Sequence, residues 1–208
     1  MRDTFKRMIA AVAAFVLAMG MGLGLAGCGS SGNSEEEMVR AAIATMMDAF
    51  KNPTEETLKP YMSEVDDSTW EEMEEYDVDP YELLSHLFKH FDYTINDVTI
   101  NEDGETGTAN ITITNADFTN LIPTLMEDLQ NDEEFISEVQ DLYLNNDTKG
   151  VYKLVFQKMY DAIDNCEETS TTTIDLKLSK TDGKWDIDDS SISDFVSAMY
   201  GGLDLDSL

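Results

Sequence analysis

Basic residues are scarce in this chain: 13 Lys and Arg stand against 43 Asp and Glu, a formal net charge of −30 at pH 7. A surface of that sign repels phosphate, which argues against nucleic acid and bare anionic lipid as partners. It suits a cationic partner, such as a basic protein surface, or simply a well-solvated domain. Cysteine is nearly missing, with two in 208 residues, so a disulfide-stapled scaffold is excluded. Histidine is as rare, with two. The chain has no Gly-x-Ser-x-Gly elbow, no phosphate-binding Gly-rich loop and no EF-hand loop with its central Gly. No catalytic activity and no cofactor are expected on that basis. Internal repeats and low-complexity tracts are missing as well.

Long apolar runs are also rare, and the one present lies at the start. Arg2, Lys6 and Arg7 form a positive cluster, and no residue from Met8 to Gly27 is charged. That is the layout of a signal peptide. An uncleaved membrane span is the competing reading, since the run is just long enough. Six glycines between Gly20 and Gly32 disfavour a stable spanning helix. The run closes on Leu25-Ala26-Gly27-Cys28, which resembles a bacterial lipobox. The resemblance implies cleavage before Cys28 and acyl chains of the palmitate class on the new N-terminal cysteine. Two or more chains anchor a protein lastingly, where one holds it marginally. The expected divisions are a lipoprotein signal peptide over 1–27, the lipidated Cys28 with a Ser/Gly linker over 28–34, one acidic domain over 35–202 and an acidic tail over 203–208. Removing the leader takes away three basic residues and one acidic residue, so the charge deepens from −30 to −32. Cys166 is then alone. Asp164, Glu167 and Glu168 beside it disfavour the thiolate, so an inert thiol is expected.

Beyond the linker, hydrophobic periodicity predicts the elements. Val39, Ile43, Met46, Met47 and Phe50 recur at helical spacing, and Ser34 with Glu37 forms a capping box ahead of them. Asn52-Pro53 with Glu55 marks a short second helix to about Met62. Ser68 with Glu71 marks another, and Asp79-Pro80 opens one with Leu83, Leu84, Leu87, Phe88 and Phe91 inside. The period then changes to two. Tyr93 and Ile95, then Val98 and Ile100, alternate, and the skip between them predicts a bulge. Asp103-Gly104 turns the chain, and Ala109, Ile111 and Ile113 alternate on the return. Three helices follow, around Phe118 to Leu129, Phe135 to Tyr143 and Val151 to Ile163. Pro123 is expected to fall in the first turn of its helix. Asn131 with Glu134 is read as the box of the second of these. Ile174, Leu176 and Leu178 alternate, Asp182-Gly183 turns, and Trp185 with Ile187 forms a short strand. Ser191 with Asp194 is read as the cap of a last helix, which Gly201-Gly202 ends. This order predicts an α+β fold: a four-stranded, mainly antiparallel curved sheet with helices packed on one face.

An amphipathic first helix, a curved hairpin from Tyr93 to Asn115, and Lys184-Trp185-Asp186-Ile187 after an Asp-Gly turn together resemble the small bacterial lipoproteins with a nuclear-transport-factor-like, or cystatin-like, domain of unknown function. The resemblance covers roughly residues 35 to 200. It implies a cone-shaped α+β domain on a Gram-positive cell surface. Enzymes of that kind include isomerases and dehydratases, but none of their catalytic motifs can be placed here. The helical stretch from Asp117 to Asn165 departs from the pattern.

Three groups of side chains are candidates for chemistry. Glu82, His86 and His90 fall at i, i+4 and i+8 on one predicted helix, a spacing at which two imidazoles can hold zinc. The stripe lies opposite Leu84 and Phe88, so solvated surface histidines are the plainer expectation and no metal site is assigned. Tyr152, Phe156 and Tyr160 form an aromatic stripe that, with Trp185, could line a pocket for a small apolar ligand, although such stripes usually pack in a core. Ten carboxylates lie between Glu64 and Glu82, which reads as a solvated acidic face or a dock for a basic protein surface. The expected function is thus a lipid-anchored extracytoplasmic binding or interaction domain at the cell envelope, held to the membrane through Cys28. The alternatives are an isomerase- or dehydratase-like enzyme on the same fold, or a spacer with no ligand.

Overall fold

The computed structural model describes residues 34–61 and 77–203. The leader, Cys28, the linker up to Asn33, the Ser68–Glu71 box and the tail from Asp204 lie outside the described residues.

The first helix, α1 (Glu35–Lys51), begins where the capping box predicts. Ser34 Oγ accepts from Glu37 N, and the Glu37 carboxylate accepts from Ser34 N. The second, α2 (Glu55–Leu58), continues as one 3-10 turn to Tyr61. Its cap is Thr54, which pairs reciprocally with Thr57. The Asn52-Pro53 pair marks the break before it. Asp79 caps α3 (Pro80–Leu87), its Oδ1 accepting from Tyr81 N and Glu82 N with Pro80 in the first turn. Leu83, Leu84, Leu87, Phe88 and Phe91 are all buried, as their spacing predicts.

Strand β1 (Asp92–Ile100) pairs antiparallel with β2 (Thr106–Ala116). Register shifts between Ile95 and Asp97, leaving Asn96 as the extra residue, so Val98 returns to the buried face three positions after Ile95. In the connection, Asp103 Oδ1 accepts from Glu105 N and Thr106 N, both at 2.9 Å, and Gly104 takes φ +67°. Three helices follow: α4 (Phe118–Asn131), α5 (Glu133–Leu144) and α6 (Thr148–Asp164). Strand β3 (Thr169–Thr181) pairs with β2 along its length, and β4 (Lys184–Ile187) pairs with the end of β3. The turn between them, Asp182 at φ +53° and Gly183 at φ +78°, has the twist that a two-residue hairpin requires. Helix α7 (Asp189–Met199) closes the fold. The sheet order is β1-β2-β3-β4, antiparallel throughout, and the class is α+β with the helices on one face.

The sheet is sharply two-faced. Ala109, Ile111, Ile113, Leu176 and Leu178 are buried beneath α1 and α7. Their neighbours on the other face, Thr108, Asn110, Thr112, Thr114, Thr171, Thr173 and Asp175, are half-buried or exposed. These polar side chains bond across strands: Asn110 Nδ2 donates to Asp175 at 2.6 Å, and hydroxyls pair between Thr112 and Thr173 and between Thr114 and Thr171. Threonine serves both roles, because its branched carbon fits the pleat and its hydroxyl replaces water.

Four local expectations are corrected. Asp132, not Asn131, caps α5: its Oδ1 accepts from Phe135 N, while the Asn131 amide donates back to Glu127 O and belongs to the end of α4. Asp188, not Ser191, caps α7 by accepting from Ser190 N. Ser191 is buried, and its hydroxyl accepts from Lys177 N at 3.0 Å, closing an open edge of β3. Pro123 falls in the second turn of α4, where it removes one helical bond. That turn is exposed, so water can take the freed carbonyl. The fourth correction concerns the histidines: α3 ends at Leu87, so His90 is not on it.

Candidate functional site

The histidines lie where α3 meets the end of α6. Helix α3 carries Glu82 and His86 one turn apart, and the turn after it supplies Lys89 and His90. The last turn of α6 supplies Tyr160, Ile163 and Asp164. His86 Nδ1 lies 2.7 Å from Asp164 Oδ1, and Lys89 Nζ lies 2.8 Å from Asp164 Oδ2. One carboxylate therefore holds two cations or donors, one on each oxygen. The His86 ring stacks on Tyr160, with centroids 4.1 Å apart and planes inclined by 10°. His90 Nε2 lies 2.9 Å from Ile163 O, and a carbonyl only accepts, so this nitrogen donates. Both histidines of the chain thus fasten the same two elements.

Burial works to raise the Asp164 pKa, but hydrogen bonds from His86 and Lys89 outweigh it and hold the carboxyl below its usual range. Tyr160 moves the other way. Burial, with the Glu82 and Asp79 carboxylates nearby, pushes its hydroxyl well above the ordinary value, so it stays neutral. The His86 side chain keeps 23% of its surface exposed, and its second nitrogen makes no hydrogen bond among the described residues. An imidazole oriented through Nδ1 by a carboxylate is chemically able to pass a proton at Nε2. Among the described residues no hydroxyl or thiol is bonded to it. Cys166, half-buried, points its thiol at Glu168 O, 3.1 Å away.

The zinc spacing does not carry into space. The break at Leu87 separates His90 from His86, and each ring is bound to α6. Among the described residues no three His, Cys, Asp or Glu side chains converge as a metal site would need. The aromatic residues all join the core. Phe156 and Tyr160 adjoin with centroids 6.0 Å apart, both buried, and Tyr152 packs half-buried against the core on the same helix. Trp185 is buried beside Glu35, Lys180 and Gly107: its Nε1 donates to Glu35 Oε1 at 3.2 Å, and Lys180 Nζ lies 5.5 Å from its ring. Of the acidic run only Asp77, Asp79 and Glu82 are described; Asp77 lies 3.9 Å from Lys149 Nζ, and Asp79 caps α3.

Asp164 and Lys89 are the members that sequence reasoning missed. The bond from Asp164 to His86 spans 78 residues. No local pattern announces such a contact.

No helix among the described residues is long and apolar enough to cross a membrane. No protein-family profile and no curated protein matches this sequence. Among solved structures, a presumed lipoprotein (ycdA) of Bacillus subtilis is similar to it, with a TM-score of 0.39 and 14% identity. The match covers 78% of this chain and 46% of that one, so the chain spans about half the length of ycdA. A likeness at that level carries no argument for a shared function.

Proposed function

We propose that this protein is a lipid-anchored extracytoplasmic interaction domain at a Gram-positive cell envelope, held by acyl chains on Cys28. It contacts a partner with a basic surface. The observation that carries the reading is a juxtaposition: Leu25-Ala26-Gly27-Cys28 ends the uncharged run, and the folded domain begins six residues after Cys28, at the Ser34 cap. A span so short serves to tether a domain rather than to connect two. The net charge of −30 supports the choice of partner. Phe156, Tyr160 and Trp185 are all buried in the core, which supports a surface over an apolar pocket as the binding element.

The anchor is tested by expressing the chain and its Cys28→Ala variant in a Gram-positive host. The parent chain is expected in the membrane fraction, with a mass showing loss of residues 1–27 and gain of acyl chains. The variant is expected as the heavier, unlipidated precursor. Identical masses for the two would remove the anchor from the reading.

A further inference from the structure

The place where the tether enters the fold is fixed, and it lies at one end of the sheet. Glu35 opens α1, and its carboxylate is ion-paired with Lys180 and accepts from Trp185. Lys180 and Trp185 flank the β3–β4 turn and are partners in register. The position of a Cβ on Gly107 is 3.6 Å from the Trp185 ring and 3.0 Å from Ile100 Cδ1, so the β1–β2 turn lies at the same end. Both hairpins therefore gather around the start of α1.

Helix α1 extends along β1, and at its far end Lys51 Nζ holds Asp92 Oδ1 at 2.7 Å, at the first residue of β1. Nine residues of strand separate the two ends, about 30 Å at the rise of a strand. The helices α4–α6 leave the sheet after Ala116 and rejoin it at Thr169, its register partner, also at the far end. Asp117 N donating to Glu168 O closes that junction. These helices pack chiefly on one another and on α3.

Cys28 and Glu35 are seven residues apart, a reach of about 25 Å at full extension. We propose, on the reading that Cys28 is lipidated, that the domain stands on the membrane with its two hairpin turns inward and the α4–α6 helices outermost. The surface that meets the lipid headgroups is then the hairpin end, and the one that meets other molecules is the helical end. Chain entry at the start of α1 sets the posture, because the tether draws that end toward the bilayer. Glu102, Asp103, Glu105 and Asp182 on the two turns are exposed, and repulsion from an anionic bilayer, which acts within a Debye length of about 10 Å, holds them off its surface. The competing force is the apolar pair on α5, Tyr143 at 51% and Leu144 at 81% exposure, which would tip the domain over if it entered the bilayer.

The experiment uses the lipidated full chain with Cys166→Ser, reconstituted into vesicles of phosphatidylcholine with phosphatidylglycerol and a headgroup-linked acceptor dye. A donor dye is placed at Glu102→Cys in the β1–β2 turn or at Gln140→Cys on α5, both exposed. Energy transfer from Glu102→Cys is expected to exceed that from Gln140→Cys by about twofold or more, given the length of the strands between them. Equal transfer, or stronger transfer from Gln140→Cys, overturns the orientation and leaves the anchor standing. A chain that does not float with the vesicles overturns the anchor, and the orientation with it.

Discussion

Asn115 has no exposed surface, and its amide joins three elements. Its Nδ2 donates to Leu87 O at 3.1 Å and to Met199 O at 2.8 Å, while its Oδ1 accepts from Ala116 N. Those two carbonyls stand at the ends of α3 and α7, where helices leave acceptors without partners. Tyr200, next to Met199, is the opposite case: its ring packs among Phe88 and Phe118, and its buried hydroxyl has no partner among the described residues. The two residues should respond with opposite signs. Asn115→Ala strands buried carbonyls and is expected to cost about 2–3 kcal/mol, whereas Tyr200→Phe removes an unsatisfied group and should be neutral or stabilise by up to about 1 kcal/mol. Urea denaturation of the two variants measures both. A destabilised Tyr200→Phe would show that the hydroxyl is bonded in solution. Neither role was legible beforehand, because the partners of Asn115 lie 28 and 84 residues away.

The clamp between α3 and α6 gives the clearest test among the elements. Asp164 is held below the usual carboxylate range in the folded chain, so that state resists protonation more than the unfolded one does. Its contribution is therefore complete above the ordinary aspartate pKa near 3.9 and is lost as pH falls through the lower folded value. Asp164→Asn should cost roughly 1–3 kcal/mol at pH 7, the worth of hydrogen bonds to charged groups. The gap from the parent chain should then narrow below about pH 4. Parallel stability curves across that range would mean that His86 and Lys89 do not stabilise the carboxylate. What was readable at this scale followed one rule. Caps and turns closed by residues two or three apart, such as Ser34 with Glu37, Asp103-Gly104 and Asp182-Gly183, fell where expected. Errors arose where two local choices competed. Ser191 has the chemistry of a cap, but the open edge of β3 claimed its hydroxyl, and Asp188 capped α7 instead.

Over the whole molecule, a formal charge of −30, or −32 without residues 1–27, makes self-repulsion a general destabilising force. Raising salt from 0.01 M to 1 M shortens the Debye length from about 30 Å to about 3 Å. The melting temperature should therefore rise with salt. The ion pairs that salt weakens, such as Lys51–Asp92 with side chains 44% and 66% exposed, contribute little. A melting temperature that falls with salt would mean that such pairs outweigh the repulsion. The same charge was legible from composition, as was the class of the fold, because each depends on counts or on a period of two or 3.6. The meander order needed little more, since each hairpin announces itself by its turn. The tertiary structure alone decided which face of the sheet is covered, that His86 and His90 both bond to α6, that Trp185 bonds to Glu35 beside the β3–β4 turn, and that α1 starts at the hairpin end. These facts are contacts between residues tens of positions apart. Their energies come from burial and from hydrogen bonds completed only when the helices close over the sheet, and nothing in a local stretch of chain encodes which partner arrives.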